Sequence, residues 1–132
     1  MKSGKRHEAV IAWEGDSKEV IHDFPEGVRS ELGIDLQLLQ WGAEPNSFRP
    51  IASVGKGVFE LRQQDDASWY RVIYLSRIED VIHVLHCFVK KTAKTPKKEI
   101  NLAKARLKLV HQRLQAQKKQ QKQEKKKGHG EA

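Results

Sequence analysis

The sequence predicts an α+β domain, and three observations carry that prediction. Apolar runs with period-two character cluster between residues 58 and 89, segments with apolar residues at spacings of three and four flank them on both sides, and the turns between the runs are too short to hold crossover helices. The expected order is an N-terminal strand and two helices, an antiparallel sheet of about four to five strands in all, and a C-terminal helix.

Ala9 to Trp13, AVIAW, is a short apolar run closed by Glu14-Gly15 and reads as the first strand. Asp16 followed by Glu19 has the form of a capping box, so a helix starts there and carries Val20 and Ile21 inward. Pro25 suits the first position of a second helix. Val28, Leu32, Leu36 and Leu39 recur along it at helical spacing until Gly42 ends it. The stretch GAEPNSFRP reads as a loop.

Phe59 and Leu61 alternate with Glu60 and Arg62; QDDAS then leads into WYRVIYL, and SRIED into VIHVLHCFV, which gives an antiparallel meander. The last of these strands is apolar on both alternating faces, so it belongs inside the sheet with something packed on each side. Ile100, Ala103, Leu107, Val110 and Leu114 give the final amphipathic helix, with Thr95 as its N-cap and Pro96 at its first position. Residues 1–115 form one domain, and 116–132 are read as a Lys/Gln-rich flexible tail with little to bury.

The composition narrows the function. With 132 residues and 38% hydrophobic content the chain can build one modest core. A single cysteine, Cys87, excludes an intrachain disulfide, and no apolar run is long enough for a signal peptide core or a membrane span, so a cytoplasmic protein with no membrane association is expected. The net charge of +8 is concentrated in two places. Lys90 to Lys98 holds five lysines and no acid, the segment from Lys118 to the end holds six lysines against two glutamates, and the remainder is nearly neutral. Concentrated positive charge points first to nucleic acid, because neutralising phosphates releases condensed counterions.

The stretches RPIASVGKGVFELR, YRVIY and HVLHCFVKKTAKTPKKEINLAKARL resemble the RelE/ParE superfamily, and within it the phage-derived HigB-like toxins of type II toxin–antitoxin systems. The resemblance runs from Val10 to about Arg113, with K-K-T-x-K-T-P as its most specific element. It implies a RelE-like fold and an endoribonuclease that cleaves mRNA, often on the ribosome. A cognate antitoxin, commonly a helix-turn-helix protein, would neutralise it.

RNA cleavage by the ribose 2′-hydroxyl needs a base, an acid and fixed cations around the phosphate, but no nucleophilic side chain. No His/Cys/Asp/Glu group has metal-ligand spacing, so a metal-free route without cofactors is expected. His86 is a titrating candidate for moving protons; the alternative is a satisfied core histidine, and the residues alone leave both open. His83 is expected on the opposite face in a structural role. The family reading makes Arg62 and Arg71 phosphate clamps, against the reading of each as a cross-strand partner of an acid such as Glu60. Trp69, Ile73 and Leu75 share the nominal face of Arg71 and point to a partly buried setting.

Lys90 and Lys91, with Lys94, Lys97 and Lys98, stand where a helix N-terminus adds its own partial positive charge, an arrangement suited to a phosphate. The catalytic candidates are therefore His86, Arg62, Lys90 and Lys91, and the RNA-binding candidates Arg71, Lys94, Lys97 and Lys98. One departure from the family stands out: several RelE-type members use a C-terminal tyrosine or histidine, and no tyrosine follows Tyr74 here. Two other classes stay open, a catalytically silent RNA- or ribosome-binding module and a ParE-like gyrase poison.

Overall fold

Five strands and three helices make up the chain in a computed structural model that describes residues 8–92 and 94–130, with side chains described as far as Glu124. Strand β1 (Val10–Trp13) leads into α1 (Ser17–His22) and α2 (Glu26–Gln40). Strands β2 (Phe48–Pro50), β3 (Val58–Gln64), β4 (Trp69–Ile78) and β5 (Val81–Lys90) follow, and α3 (Lys97–Gly130) comes last. The sheet order is β1-β5-β4-β3-β2. The meander β2 to β5 is antiparallel as expected, whereas β1 pairs parallel with β5, so the sheet is mixed. The helices and strands between β1 and β5 in the chain supply the long connection that a parallel pair requires.

Helices cover both faces. Ile21 and Phe24 with Val28, Leu32 and Leu36 of α2 pack on Leu61, Val72, Tyr74, Ile82 and Val84. On the other face Ala103, Leu107 and Val110 of α3 pack on Val58, Ile73, Leu75, Leu85 and Phe88, with Ile51 and Val54 closing one side. Strand β5, hydrogen-bonded on both edges and covered on both faces, is buried almost throughout, which accounts for its continuous apolar run.

Several expectations change in detail. The loop 42–50 contains a short edge strand: Phe48 and Pro50 pair with Leu61 and Phe59, and Pro50 is tolerated because β2 has no neighbour on its outer side. Strand β4 runs on through Ser76-Arg77-Ile78, so the turn to β5 shrinks to Glu79-Asp80, with Glu79 at φ 55 and Arg77 holding the Glu79 carbonyl and the Asp80 carboxylate. The capping box of α1 is not made. Asp16 stands at the N-cap without a side-chain cap bond, and its carboxylate accepts from Arg106 instead.

Pro25 and Pro96 stand one position before the helices they open, with Arg29 and Ile100 donating to their carbonyls. Thr95 does not cap α3; its hydroxyl accepts from Lys90. Helix α3 continues to Gly130 beyond the expected end at Gln115. Ala, Gln, Lys and Glu are all good helix formers, so the extension needs no packing to be helical.

One irregularity bears on the site. Ile73 pairs with His86 but Tyr74 pairs with Val84, so Leu85 is an extra residue in β5. Strict alternation puts His83 and His86 on opposite faces; the bulge returns both to the face under α3, where each meets α3 or a residue bound by it.

Candidate functional site

Successive strands place a ladder of charged groups across the sheet. Arg49 of β2 lies opposite Glu60 of β3, Arg62 lies opposite Arg71 of β4, and Trp69 lies opposite Lys90 at the end of β5. Even-numbered residues of β3 and odd-numbered residues of β4 lie on the face covered by α3.

Glu60 is wholly buried and shared by two arginines: Arg49 Nε is 3.2 Å and Arg71 Nε 3.4 Å from Oε1. Arg71 is itself 2% exposed and donates to the carbonyls of Gln63 and Tyr70 at 3.3 and 3.1 Å. Arg71 is thus committed inside the protein, while half-exposed Arg49 presents charge outward from the same carboxylate. Lys90 is only 4% exposed, and its ammonium donates to Thr95 Oγ1 at 2.8 Å. Burial, reinforced by the neighbouring Arg71 charge, lowers its pKa below the ordinary lysine value, with Glu60 opposing.

A cleft of about 620 Å³ opens beside this cluster, lined by Arg49, Pro50, Ile51, Ala52, Ser53, Lys94, Thr95 and Ile100. A second hollow of about 350 Å³ is lined by Ser47, Arg62, Gln63, Gln64, Trp69 and Arg71. The cleft is therefore polar and carries Arg49 and Lys94 in its lining, and Thr95, which also lines it, accepts from Lys90 behind it.

Arg62, Arg71, Lys90 and Lys94 thus gather at one end of the sheet. Lys91, Lys97 and Lys98 are exposed nearby, Lys91 after β5 and the other two on the first turn of α3. His86 is elsewhere: four residues before Lys90, it is about 13 Å back along the strand. It is 5% exposed and stacks on Phe88 with ring centroids 5.2 Å apart.

Both nitrogens of that ring are engaged. Arg106 stands 3.3 Å from Nδ1, and Glu99 Oε1 stands 2.8 Å from Nε2. A guanidinium can only donate, so Nδ1 accepts, and Nε2 carries the proton that it gives to Glu99. His83 is held through one nitrogen: Nδ1 stands 2.9 Å from Glu14, whose other oxygen accepts from Arg113, while Nε2 has no partner among the described residues.

Four residues of this arrangement escape sequence reasoning. Arg49 falls in an expected loop, Glu60 reads as a surface partner, Thr95 reads as a cap, and Arg106 gives no signal beyond being a basic residue on a helix. Arg106 spans the Leu85 carbonyl, His86 and Asp16, tying α3 to the β5 bulge and to the start of α1. Only Glu60 carries a usable signal, since alternation alone puts it on the face of Arg62. Among the described residues, no three His, Cys, Asp or Glu side chains are grouped so as to hold a metal ion. No described helix is long and apolar enough to cross a membrane.

The family model described as phage derived protein Gp49-like (DUF891) matches residues 19–108, from within α1 to the part of α3 that packs on the sheet. No curated protein matches the chain.

Proposed function

The chain belongs to the phage-derived Gp49-like family, a family of RelE/ParE-like toxins, and from that premise we propose that it is a HigB-like toxin of a type II toxin–antitoxin pair that inhibits translation by metal-free cleavage of mRNA at the ribosome. Lys90 carries this reading: a buried ammonium with a lowered pKa is bonded to Thr95, which lines a cleft charged by Arg49 and Lys94. In the reaction the 2′-hydroxyl gives its proton to solvent water, the 2′-oxygen bonds to the adjacent phosphorus and the bond to the 5′-oxygen breaks, leaving a 2′,3′-cyclic phosphate and, once the departing oxygen is protonated, a 5′-hydroxyl. The departing oxygen needs a proton, and an amine of lowered pKa gives one more readily at neutral pH.

Lys90 is that acid. Arg49 and Arg62 with Lys91 and Lys94 hold the phosphate as its charge develops, and Lys97 and Lys98 add to the field at the start of α3. Arg71 acts by position, sharing Glu60 with Arg49. His86 also acts by position, through the bond to Glu99 that fixes the first turn of the helix above the cleft. The partner in such a pair is an antitoxin, in the HigB-like branch a helix-turn-helix protein.

The test is induction of the chain in bacteria with mapping of mRNA 5′ ends. The expected result is growth arrest with new 5′-hydroxyl ends inside translated messages, absent with Lys90→Met. Arrest without new ends would favour the silent RNA- or ribosome-binding module, and arrest with trapped gyrase–DNA complexes the ParE-like alternative.

A further inference from the structure

Helix α3 runs well past the sheet it covers, and six of its lysines lie along one side. Lys97, Lys104, Lys108, Lys118, Lys119 and Lys122 are all exposed. At 3.6 residues per turn they fall within an arc of about 100° on one side of the helix. The two described acids of α3, Glu99 and Glu124, lie roughly a quarter-turn or more outside that arc. Among the described residues none of the six lysines is in an ion pair.

The arc also has a direction. Ile100 lines the cleft, and Lys97 and Lys104, three residues before and four after it, share its side of the helix. From Lys97 to Lys122 the stripe measures about 37 Å at 1.5 Å per residue. It therefore begins at the cleft and leads away from it.

Resting on the reading of the cleft as an RNA site, we propose that this stripe is a second contact for the RNA backbone, a track that holds the strand outside the cleaved segment. The side-chain chemistry favours a phosphate chain over a protein. Lysine is depleted from protein–protein interfaces, whose binding energy sits in Trp, Tyr and Arg anchors, and the arc contains none of these. A lysine is a point charge on a flexible stem, suited to a row of phosphates and unsuited to one defined docking pose. The apolar face that an interfacial membrane helix would use is, in the packed part of α3, already spent on the sheet through Ala103, Leu107 and Val110.

The full chain with K118Q, K119Q and K122Q tests this, since these side chains are exposed and glutamine is as good a helix former as lysine. The probes are 2′-O-methyl RNAs, which lack the attacking hydroxyl, one of about 5 nucleotides that fills only the cleft and one of about 25 that reaches along the helix. Dissociation constants are measured across a salt series. On the long RNA the slope of log affinity against log salt should fall by about 2, at roughly 0.7 for each single-strand phosphate that the variant no longer neutralises. On the short RNA it should not change.

An unchanged slope on the long RNA, or an equal fall on both, would overturn the track. So would slower association with the cognate antitoxin at unchanged RNA affinity, which would assign the stripe to a protein. Because binding is read on uncleavable RNA, a chain that tracks RNA but cuts no message would sink the proposed activity alone, and one that cuts normally with an unchanged slope would sink only the track.

Discussion

Lys90 holds a charge at 4% exposure near Arg71, Arg49 and Arg62, which makes the folded state a poor place for its proton. The folded pKa lies below the unfolded value, so between the two the unfolded chain binds more protons than the folded one. Stability contributed by this group therefore rises with pH through that window, and below it the buried charge is a standing cost. Lys90→Met keeps the side-chain volume and removes the charge. The melting temperature of this variant at pH 7 should be no lower than that of the parent, while RNA cleavage should fall about a hundredfold or more, the scale for losing a general acid. A clear drop in melting temperature would show that the ammonium holds the Thr95 turn in place instead of straining it.

His86 makes the opposite case, a titratable group whose bonds are all spent on structure. If it only positions Glu99, His86→Gln should lower cleavage and RNA affinity together and leave the pH–rate profile with its limbs in place. Loss of a limb of the profile with affinity intact would make it a proton carrier instead.

At the scale of elements, the tie between sheet and last helix depends on one glycine. Gly15 sits at φ +54 between β1 and α1, and a Cβ there would run into the guanidinium of Arg106. Arg106 needs that space to reach Leu85, His86 and Asp16. Gly15→Ala should cost about 1–3 kcal/mol, combining left-handed strain with displacement of the arginine, and should lower the melting temperature by several degrees. Gly33→Ala, in the middle of α2 with nothing near its would-be Cβ, is the control and should be neutral or stabilising. Equal effects at the two positions would mean that Arg106 can find another route.

The same scale shows where sequence reading succeeds and where it stops. Strands β3 to β5 and the packed part of α3 are legible because burial on one or two faces imposes a period that the residues must follow. Strand β2 is not, since three residues ending in proline leave no period to see. The parallel docking of β1 depends on what lies beside it in space, not on its own four residues. The shared face of His83 and His86 follows from a single extra residue in β5, and a period-two reading cannot anticipate such a bulge. For the same reason the basic cluster is half legible. Arg62, Lys90 and Lys94 can be named from residue type and position, whereas the Arg49–Glu60–Arg71 link that organises them exists only once β2 is placed.

For the whole molecule, the decisive property is the separation of fold from charge. The core on the α3 side draws on nothing beyond Val110 among its buried residues, with Leu114 packed at its margin. From Ala116 to Glu124 every side chain is exposed. Ending the chain after Gln115 removes six lysines and two glutamates, and so halves the net charge of +8, yet takes away almost no buried apolar surface. The helical turns removed are held by propensity alone, a weak contribution that the shortened helix does not need. The melting temperature should stay within about 2 °C of the parent, because each kcal/mol lost from a domain of this size moves it by a few degrees. Cleavage of a short RNA confined to the cleft should be unchanged, and affinity for long RNA should fall most at low salt, where counterion release is most favourable. A fall of about 10 °C or more would mean that Gln117, Lys118 and Gln121, which line a hollow with Ile78 and Glu79, dock the extension onto the β4–β5 turn, and that the arm belongs to the fold.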